Sequence, residues 1–586
     1  MKKLKLVLGL LLSAFVVASA PALAQAEEKG TEALRFLPVQ DAGRIKPFDT
    51  LARETLQLVY GSQTYKSPKG DRRPAIEIVM TWMLLPQYWD GQKIVEITHK
   101  GLKDSLKLPD TEKYFTPQDL LANQRLSLII QELNSFRATK QKLTPYFQAV
   151  QRLESQLGMF QAIKLGQAMR VVPPLPNATA AKTEDGRPVE PEKWITVADL
   201  QGEAQDKFKT IIKSLIQALP SNSAEAQAQQ AQSSEPTIPL SQAVEEFKSV
   251  ARAQNPALYP AERDIKIEVH ERELHPFKIS WILYLLGAIL LAWAWQLDHK
   301  QLYRAGWTFA IVGFIMHTYG FGLRMYLTGR PPVSNMYESV VWVSWGALVF
   351  SMFFEATHRK KFVLMAGSLV GVLCLIVADL APTILDRSLQ PLEPVLRSNM
   401  WLTVHVLTIT ISYSAFFLAW ALGNIGAGFL LKGDKPTSER IRVIVQSIYR
   451  AVQIGVVLLA AGIILGGIWA DYSWGRFWGW DPKETWALIA LLGYLAILHG
   501  RLVGWVQNAG MLVNSVIAFN LVIMAWYGVN FVLGAGLHSY GFGAGGVQYV
   551  AAFVILNLIY VGYAYYVHRA RKDVPTSTKQ SDNMSA

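Results

Sequence analysis

Val456-Val-Leu-Leu-Ala-Ala-Gly-Ile-Ile-Leu-Gly-Gly-Ile-Trp469 runs without a charge, and Trp474-Gly-Arg-Phe-Trp-Gly-Trp-Asp-Pro-Lys-Glu-Thr-Trp486 follows it before a second apolar run begins. A short aromatic loop between two long uncharged runs is the pattern of helices crossing a hydrocarbon layer, which takes about 20 residues at 1.5 Å each. Working outward, nine such segments occur, at 277–297, 306–326, 337–356, 362–380, 402–431, 449–470, 484–505, 511–533 and 547–567. The expected fold is therefore mainly α: a polytopic membrane helical bundle of about nine spans, preceded by a mostly helical extracytoplasmic domain.

The overall composition supports two unlike halves. Of 586 residues 51% are hydrophobic, yet residues before about 277 are polar and mixed, so the mean hydropathy of +0.19 averages a soluble part and a membrane part. A purely soluble enzyme is excluded. The net charge of +12 is explained by topology, because the basic residues sit in alternate loops: Lys300 and Arg304; Arg359, Lys360 and Lys361; Lys432, Lys435, Arg440 and Arg442; Arg501; and Arg569, Arg571 and Lys572. The positive-inside rule makes those loops cytoplasmic, which leaves no nucleic-acid role for the charge. An odd number of crossings then puts the N-terminal domain outside and the C-terminus in the cytoplasm; the expected setting is a bacterial inner membrane with that domain in the periplasm. Cys374 is the sole cysteine. It excludes an intrachain disulfide, a Cys-X-X-Cys centre and covalent haem attachment to this chain, so any thiols belong to another protein.

Residues 1–26 read as a signal peptide, with basic Met1–Lys5, apolar Leu6–Val17 and small Ala22, Ala24 and Ala26, or as an uncleaved anchor. Residues 27–172 are expected to form the extracytoplasmic domain, with helices over Leu51–Tyr60, Ile76–Leu85, Pro117–Phe136 and Pro145–Met159. In Leu37–Thr50 a turn at Asp-Ala-Gly and an N-cap at Asp49 or Thr50 are expected. Residues 173–276 read as linker, with proline-rich 173–191 and Ala/Gln/Ser-rich 221–237. Residues 277–570 are the membrane domain and 571–586 a cytoplasmic tail.

Candidate chemistry lies in the membrane half. Tryptophans anchor at membrane interfaces, but the density of Trp474, Trp478, Trp480 and Trp486 with Phe477, alternating with Gly475 and Gly479, also suits a planar apolar ligand. Asp481-Pro482-Lys483-Glu484 spells a capping box that starts the next span. Arg476 and Lys483 suit ligand carboxylates or lipid phosphates equally. His405 and His538 fall at the outer ends of spans five and eight, at the depth of this loop, where two imidazoles can complete six-coordinate porphyrin iron. His499 lies about 22 Å further in, fifteen residues after Glu484, and His317 about 16 Å from the cytoplasmic face. They suit a second haem site at compatible depths, or a snorkelling histidine and a packed helix–helix bridge respectively.

These residues resemble a known family. The Trp474–Glu484 loop is similar to the tryptophan-rich WWD signature of haem-handling proteins, and roughly residues 305–570 resemble the CcsA/ResC subunit of the system II cytochrome c synthetase. Pro332-Val-Ser-Asn-Met-Tyr-Glu-Ser339, Trp401–His405, His499-Gly-Arg501 and Gly536-Leu-His-Ser-Tyr540 carry the likeness. The resemblance implies that Trp474, Gly475, Phe477, Trp478, Trp480, Asp481 and Trp486 bind haem b, that His405 and His538 ligate its iron, and that His499 belongs to an internal haem site. In that family the second ligand of the internal site comes from the ResB/CcsB half. That half is not recognisable here, so a separate ResB/CcsB-like subunit is implied instead of His317. Apocytochrome c and thioredoxin-type thiol reductants are the other implied partners. The implied activity is haem presentation and attachment to a Cys-X-X-Cys-His motif; haem carriage alone and quinol-linked electron transfer are the alternatives. Gly43-Arg-Ile-Lys-Pro-Phe-Asp49 is similar to a stretch that precedes the CcsA part in some fused synthetases.

Overall fold

The computed structural model describes residues 31–68, 70–139, 143–176, 193–218, 238–331, 333–381, 385–391, 399–533 and 546–572. The chain divides into two compact units, residues up to Arg272 and residues from Glu273.

In the first unit, β1 (Pro38–Asp41) and β2 (Arg44–Pro47) form a hairpin. Its two-residue turn, Ala42 and Gly43, has φ of 48° and 78°, the left-handed pair that suits the twist of the flanking strands. Small hairpins pair β3 (Thr64–Lys66) with β4 (Arg72–Pro74), and β5 (Val95–Glu96) with β6 (Tyr114–Phe115). β7 (Arg170–Val172) and β8 (Ile195–Thr196) complete a four-stranded antiparallel sheet of order β2-β1-β7-β8. The helices are α1 (Phe48–Tyr60), α2 (Ala75–Leu84), α3 (Pro86–Asp90), α4 (Lys100–Leu106), α5 (Pro117–Leu121), α6 (Gln124–Ala138), α7 (Pro145–Lys164), α8 (Gly202–Ala218), α9 (Leu240–Gln254) and α10 (Glu262–Leu274).

Three expectations are corrected here. The N-cap of α1 is Pro47, because the hairpin delivers the chain into the helix ahead of Asp49 and Thr50. Asp49 is instead buried in the first turn, between Arg35 and Arg53. The expected helix 117–136 is two helices, α5 and α6, with Asn123 capping the second through Arg125 N. Residues 193–276 are no linker: Phe208, Ile211 and Leu215 of α8 and Phe247 of α9 belong to the same buried core as Leu56, Val79 and Phe160. Their amphipathic spacing sits between polar low-complexity stretches that masked it. The stretch 221–237 lies outside the described residues, as do residues 1–26 with the expected signal segment.

Arg44 and Lys46 are spent within this unit. Arg44 holds Glu268 of α10 through two 2.8 Å hydrogen bonds, and Thr50 donates to the same carboxylate at 2.7 Å. Lys46 lies between Asp41 and Glu54, and Arg272 reaches Glu54 at 2.6 Å. Burial alone would push the Glu54 carboxyl up, but the charges of Arg272 and Lys46 outweigh it and hold it below its ordinary value.

The second unit consists of α11 (Pro276–Gln296), α12 (Lys300–Thr328), α13 (Met336–His358), α14 (Phe362–Leu380), α15 (Asn399–Lys432), α16 (Glu439–Trp474), α17 (Pro482–Leu502), α18 (Asn508–Ile523) and α19 (Val547–Lys572). After Ile523 the chain winds on as a π-helix, Met524–Leu533. The nine expected spans correspond to these nine helices, and eight are long and apolar enough to cross a membrane among the described residues. The one not among them is α12. Its 29 residues reach about 44 Å, but it carries Lys300, Arg304, His317 and Arg324.

Glycines set the closest approaches. On α12, Gly306, Gly313 and Gly320 recur every seven residues, and a Cβ at each would meet Leu291, Tyr284 and Pro276 or Phe277 of α11 within 3 Å. Small residues at such spacing let apolar helices pack where no hydrophobic force between them is available. Buried Arg324 donates to Glu338 at 2.8 Å, both side chains 2% exposed, and lies over the Tyr337 ring. Glu338 also accepts from Ser334 N and Oγ. The pair thus ties the start of α13 to α12, each charge facing its opposite as a low-dielectric setting demands.

Candidate functional site

Helix α16 ends where Gly475, at φ 71°, takes the left-handed C-cap and its N–H bonds Asp471 O at 2.8 Å. Helix α17 begins at Asp481 with both halves of a capping box present and Pro482 in its first turn, as the Asp-Pro-Lys-Glu spelling predicts. Glu484 closes the loop between them: it accepts from Gly479 N at 2.8 Å, Asp481 N at 3.2 Å and Arg476 Nη1 at 3.2 Å. Arg476 lies over the Trp474 ring. The loop glycines therefore have local reasons: Gly475 reverses the chain, and a Cβ on Gly479 would strike the Arg476 guanidinium at 1.7 Å.

The space for a flat group lies elsewhere, in a cavity of about 1150 Å³ counted with its open mouth. That volume includes open solvent; the space that takes the centre of a water-sized sphere is about 160 Å³. Distant segments build it: Val333–Met336 and Ser339 before and in α13, His405, Ile409 and Tyr413 of α15, Gly466, Gly467 and Trp469 of α16, and Phe477 and Trp478 of the loop. Lys483 and Glu484 of α17 and Trp526 and Asn530 of the π-helix complete it. Here the glycines of α16 matter: a Cβ at Gly466 would stand 2.6 Å from the His405 ring, and one at Gly467 2.6 Å from the Phe477 ring. Those two aromatic walls exist because α16 carries no side chain there.

His405 is oriented tightly. Its Nδ1–H donates to Gly462 O at 2.8 Å, and the ring stacks on Trp469 at 6.2 Å with planes 9° apart. A carbonyl only accepts, so a proton sits on Nδ1, and in the neutral tautomer the ring lone pair is then on Nε2. A backbone carbonyl holding the other ring nitrogen is the usual support for a metal-binding imidazole. Trp469 is fixed in turn by an edge contact with Trp474 at 4.6 Å.

Not all candidate residues gather here. Phe477 and Trp478 line the cavity, whereas Trp474 backs its wall, Trp480 is 71% exposed and Asp481 serves as cap. Trp486 is half-buried and is not a lining residue. His538 lies outside the described residues. His317 is fully buried, with Nδ1 3.1 Å from Tyr284 Oη, its ring stacked on Phe321 and edge-on to Phe277. That is the packed bridge between α11 and α12. His499 is exposed in the last turn of α17 and bonds Leu495 O at 2.8 Å. It shares no contact with His317. Among the described residues no three His, Cys, Asp or Glu side chains gather as a metal site.

Sequence reasoning missed Trp469, the α16 glycines, Trp526 and Asn530. A glycine-rich face, Gly462-X-X-X-Gly466-Gly467, was the available signal, since small residues at that spacing mark close approach.

Residues 333–538 match the family described as Cytochrome C assembly protein, a span that contains every lining residue of the cavity. Protein NrfI of Wolinella succinogenes is 29% identical over 531 residues, 86% of this chain and 53% of that protein. The chain thus spans about half the length of that relative. Cytochrome c biogenesis protein CcsA of Synechococcus sp. is 32% identical over 305 residues, 45% of this chain and 98% of the relative. That of Parasynechococcus marenigrum is 34% identical over 249 residues, 37% and 80% respectively. Among solved structures, cytochrome c haem lyase CcmF aligns at a TM-score of 0.37 with 15% identity, over 50% of each chain. With eight membrane-length apolar helices and a CcsA relative matched over nearly its whole length, this is a multi-pass membrane protein, and the chain belongs to the CcsA family of cytochrome c biogenesis proteins.

Proposed function

We propose that the cavity bounded by His405, Trp469, Phe477 and Trp478 holds haem b and presents it at the outer face of the membrane to apocytochrome c. One observation carries the reading: an imidazole with its Nδ1 proton committed to a carbonyl faces a cavity walled by rings and cleared by glycines. Nε2 of His405 then takes one axial position on iron, and His538 is proposed for the other. Haem here is cargo and substrate. In the reaction each cysteine sulfur of a Cys-X-X-Cys-His motif bonds one vinyl carbon while the thiol proton ends on the other, so the step consumes no oxidant. The thiols must arrive reduced, supplied by thioredoxin-type partners, and the chain contributes position and ligation. A ResB/CcsB-like subunit is the proposed membrane partner, and His499 the proposed ligand of an internal site in that complex. The membrane is a bacterial inner membrane with the loop on its periplasmic side.

The test is the haem spectrum of purified protein together with its double variant. Low-spin bis-histidine bands are expected, lost in His405→Gly/His538→Gly; bands that persist in that variant overturn the assignment. Adding a short Cys-X-X-Cys-His peptide separates synthase from carrier. Covalent product identifies attachment on this chain, whereas bound haem without product leaves attachment to a partner.

A further inference from the structure

Most of the cavity wall is apolar or aromatic, but one end is not. Lys483 and Asn530 both line it, from the start of α17 and from the π-helix, and Lys483 Nζ donates to Asn530 Oδ1 at 3.3 Å. Asn530 is 6% exposed, and its Nδ2 donates to Trp526 O at 2.8 Å, which fixes the amide so that its oxygen faces the ammonium. An ammonium has three donors, and among the described residues the bond to Asn530 is its single side-chain hydrogen bond. The neighbouring acids do not complete it. Glu484 also lines the cavity, but its two oxygens accept from Gly479, Asp481 and Arg476. Asp481 accepts the Lys483 backbone N–H as the helix cap, and its charge favours the ammonium only at longer range, without an ion-pair contact. Lys483 is thus a cation inside an aromatic cavity that lacks an ion-paired carboxylate among the described residues, a costly arrangement unless an anion arrives with the ligand.

We infer that Lys483, positioned by Asn530, is the carboxylate-recognising end of this cavity and selects a tetrapyrrole by its free propionates. The inference rests on the reading that the cavity takes haem. It gives the site a direction: His405 and the α16 glycines receive the ring and its metal, and the α17 end receives the acid groups. Arg476, the other cation of the loop, has no part in it, being held by Glu484 and Trp474.

The experiment is equilibrium binding to the purified full chain in detergent, with metal-free protoporphyrin and its dimethyl ester, followed by porphyrin fluorescence. Free-base porphyrin makes no demand on His405, so carboxylate recognition is read apart from iron ligation. The protein should prefer the free acid by about tenfold or more, the worth of one charge-assisted hydrogen bond. Lys483→Met should lose that preference while binding the ester as the unmodified protein does, and Lys483→Arg should keep most of it. The unchanged ester affinity shows that the variant is folded. Equal binding of acid and ester by the protein, or an undiminished preference in Lys483→Met, overturns the inference while leaving haem binding intact. Failure to bind either porphyrin or iron haem overturns the inference together with the functional reading beneath it. Anionic phosphatidylglycerol in the micelle should leave the preference in place; its abolition by that lipid would reassign Lys483 to headgroup phosphate and overturn the inference too.

Discussion

Adding one methyl group at Gly466 tests the cavity more sharply than removing any ligand. In Gly466→Ala the new Cβ would stand 2.6 Å from His405 Cε1, whereas ordinary contact begins at 3.4 Å. The ring must therefore retreat by about 0.8 Å. If it moves straight back, the 2.8 Å bond from Nδ1 to Gly462 O opens to about 3.6 Å, beyond the range of a hydrogen bond. That forfeits about 0.5–1.5 kcal/mol and, with it, the fixed tautomer. Overpacking costs a further ~1–3 kcal/mol, against ~1 kcal/mol regained from alanine's higher helix propensity. Stability should thus fall by about 0.5–3.5 kcal/mol while haem occupancy falls steeply and the low-spin bands weaken. Gly562→Ala is the control, since a Cβ there meets nothing within 4 Å. The assay is haem content and absorption spectrum of both variants alongside thermal unfolding in detergent. Gly466→Ala with unaltered occupancy and bands would refute the claim that this glycine makes room for the histidine.

Glu484→Ala should loosen the aromatic loop, costing about 1 kcal/mol for the lost N3 half of the capping box and releasing Arg476; tryptophan fluorescence quenching by acrylamide should rise. Arg324→Met should destabilise the membrane unit by about 3–5 kcal/mol by leaving Glu338 buried and unpaired, and adding Glu338→Gln should restore much of it, read by thermal unfolding. The Glu54 carboxyl is held below its ordinary value, so its stabilising contribution is present above the unfolded value of about 4.3 and is lost as pH falls through the lower folded value. The melting difference between the protein and Glu54→Gln should accordingly be constant near neutrality and vanish in acid; a difference that grows on acidification would contradict the sign.

The membrane helices were legible because hydropathy over twenty residues is a local property, and α11–α19 sit where the apolar runs put them. The cap of α17 was legible for the same reason, being written in four consecutive residues. What the sequence hid is convergence. Nothing local says that Ser334, His405, Gly466, Phe477 and Asn530 share one cavity, and the loop glycines drew notice while Gly466 and Gly467, buried in an apolar run, did not. His317 was named from depth alone, and the sequence could not say that Tyr284 and Phe321 pack it between α11 and α12. In the first unit the hydrophobic period of α8 and α9 was diluted by their polar flanks, and a short hairpin at 38–47 looked like a bare turn.

The wide coil that carries Trp526 and Asn530 closes its hydrogen bonds over five residues where an ordinary helix closes them over four. Rewound as regular α-helix, at about 100° per residue, the segment would turn Asn530 away from the direction it now faces. The amide would then leave the ammonium's side while the rings opposite stayed in place. Winding along this one segment therefore sets polarity at the cavity's far end independently of its aromatic wall, so a change in that winding alone would leave the same vessel with a differently charged rim.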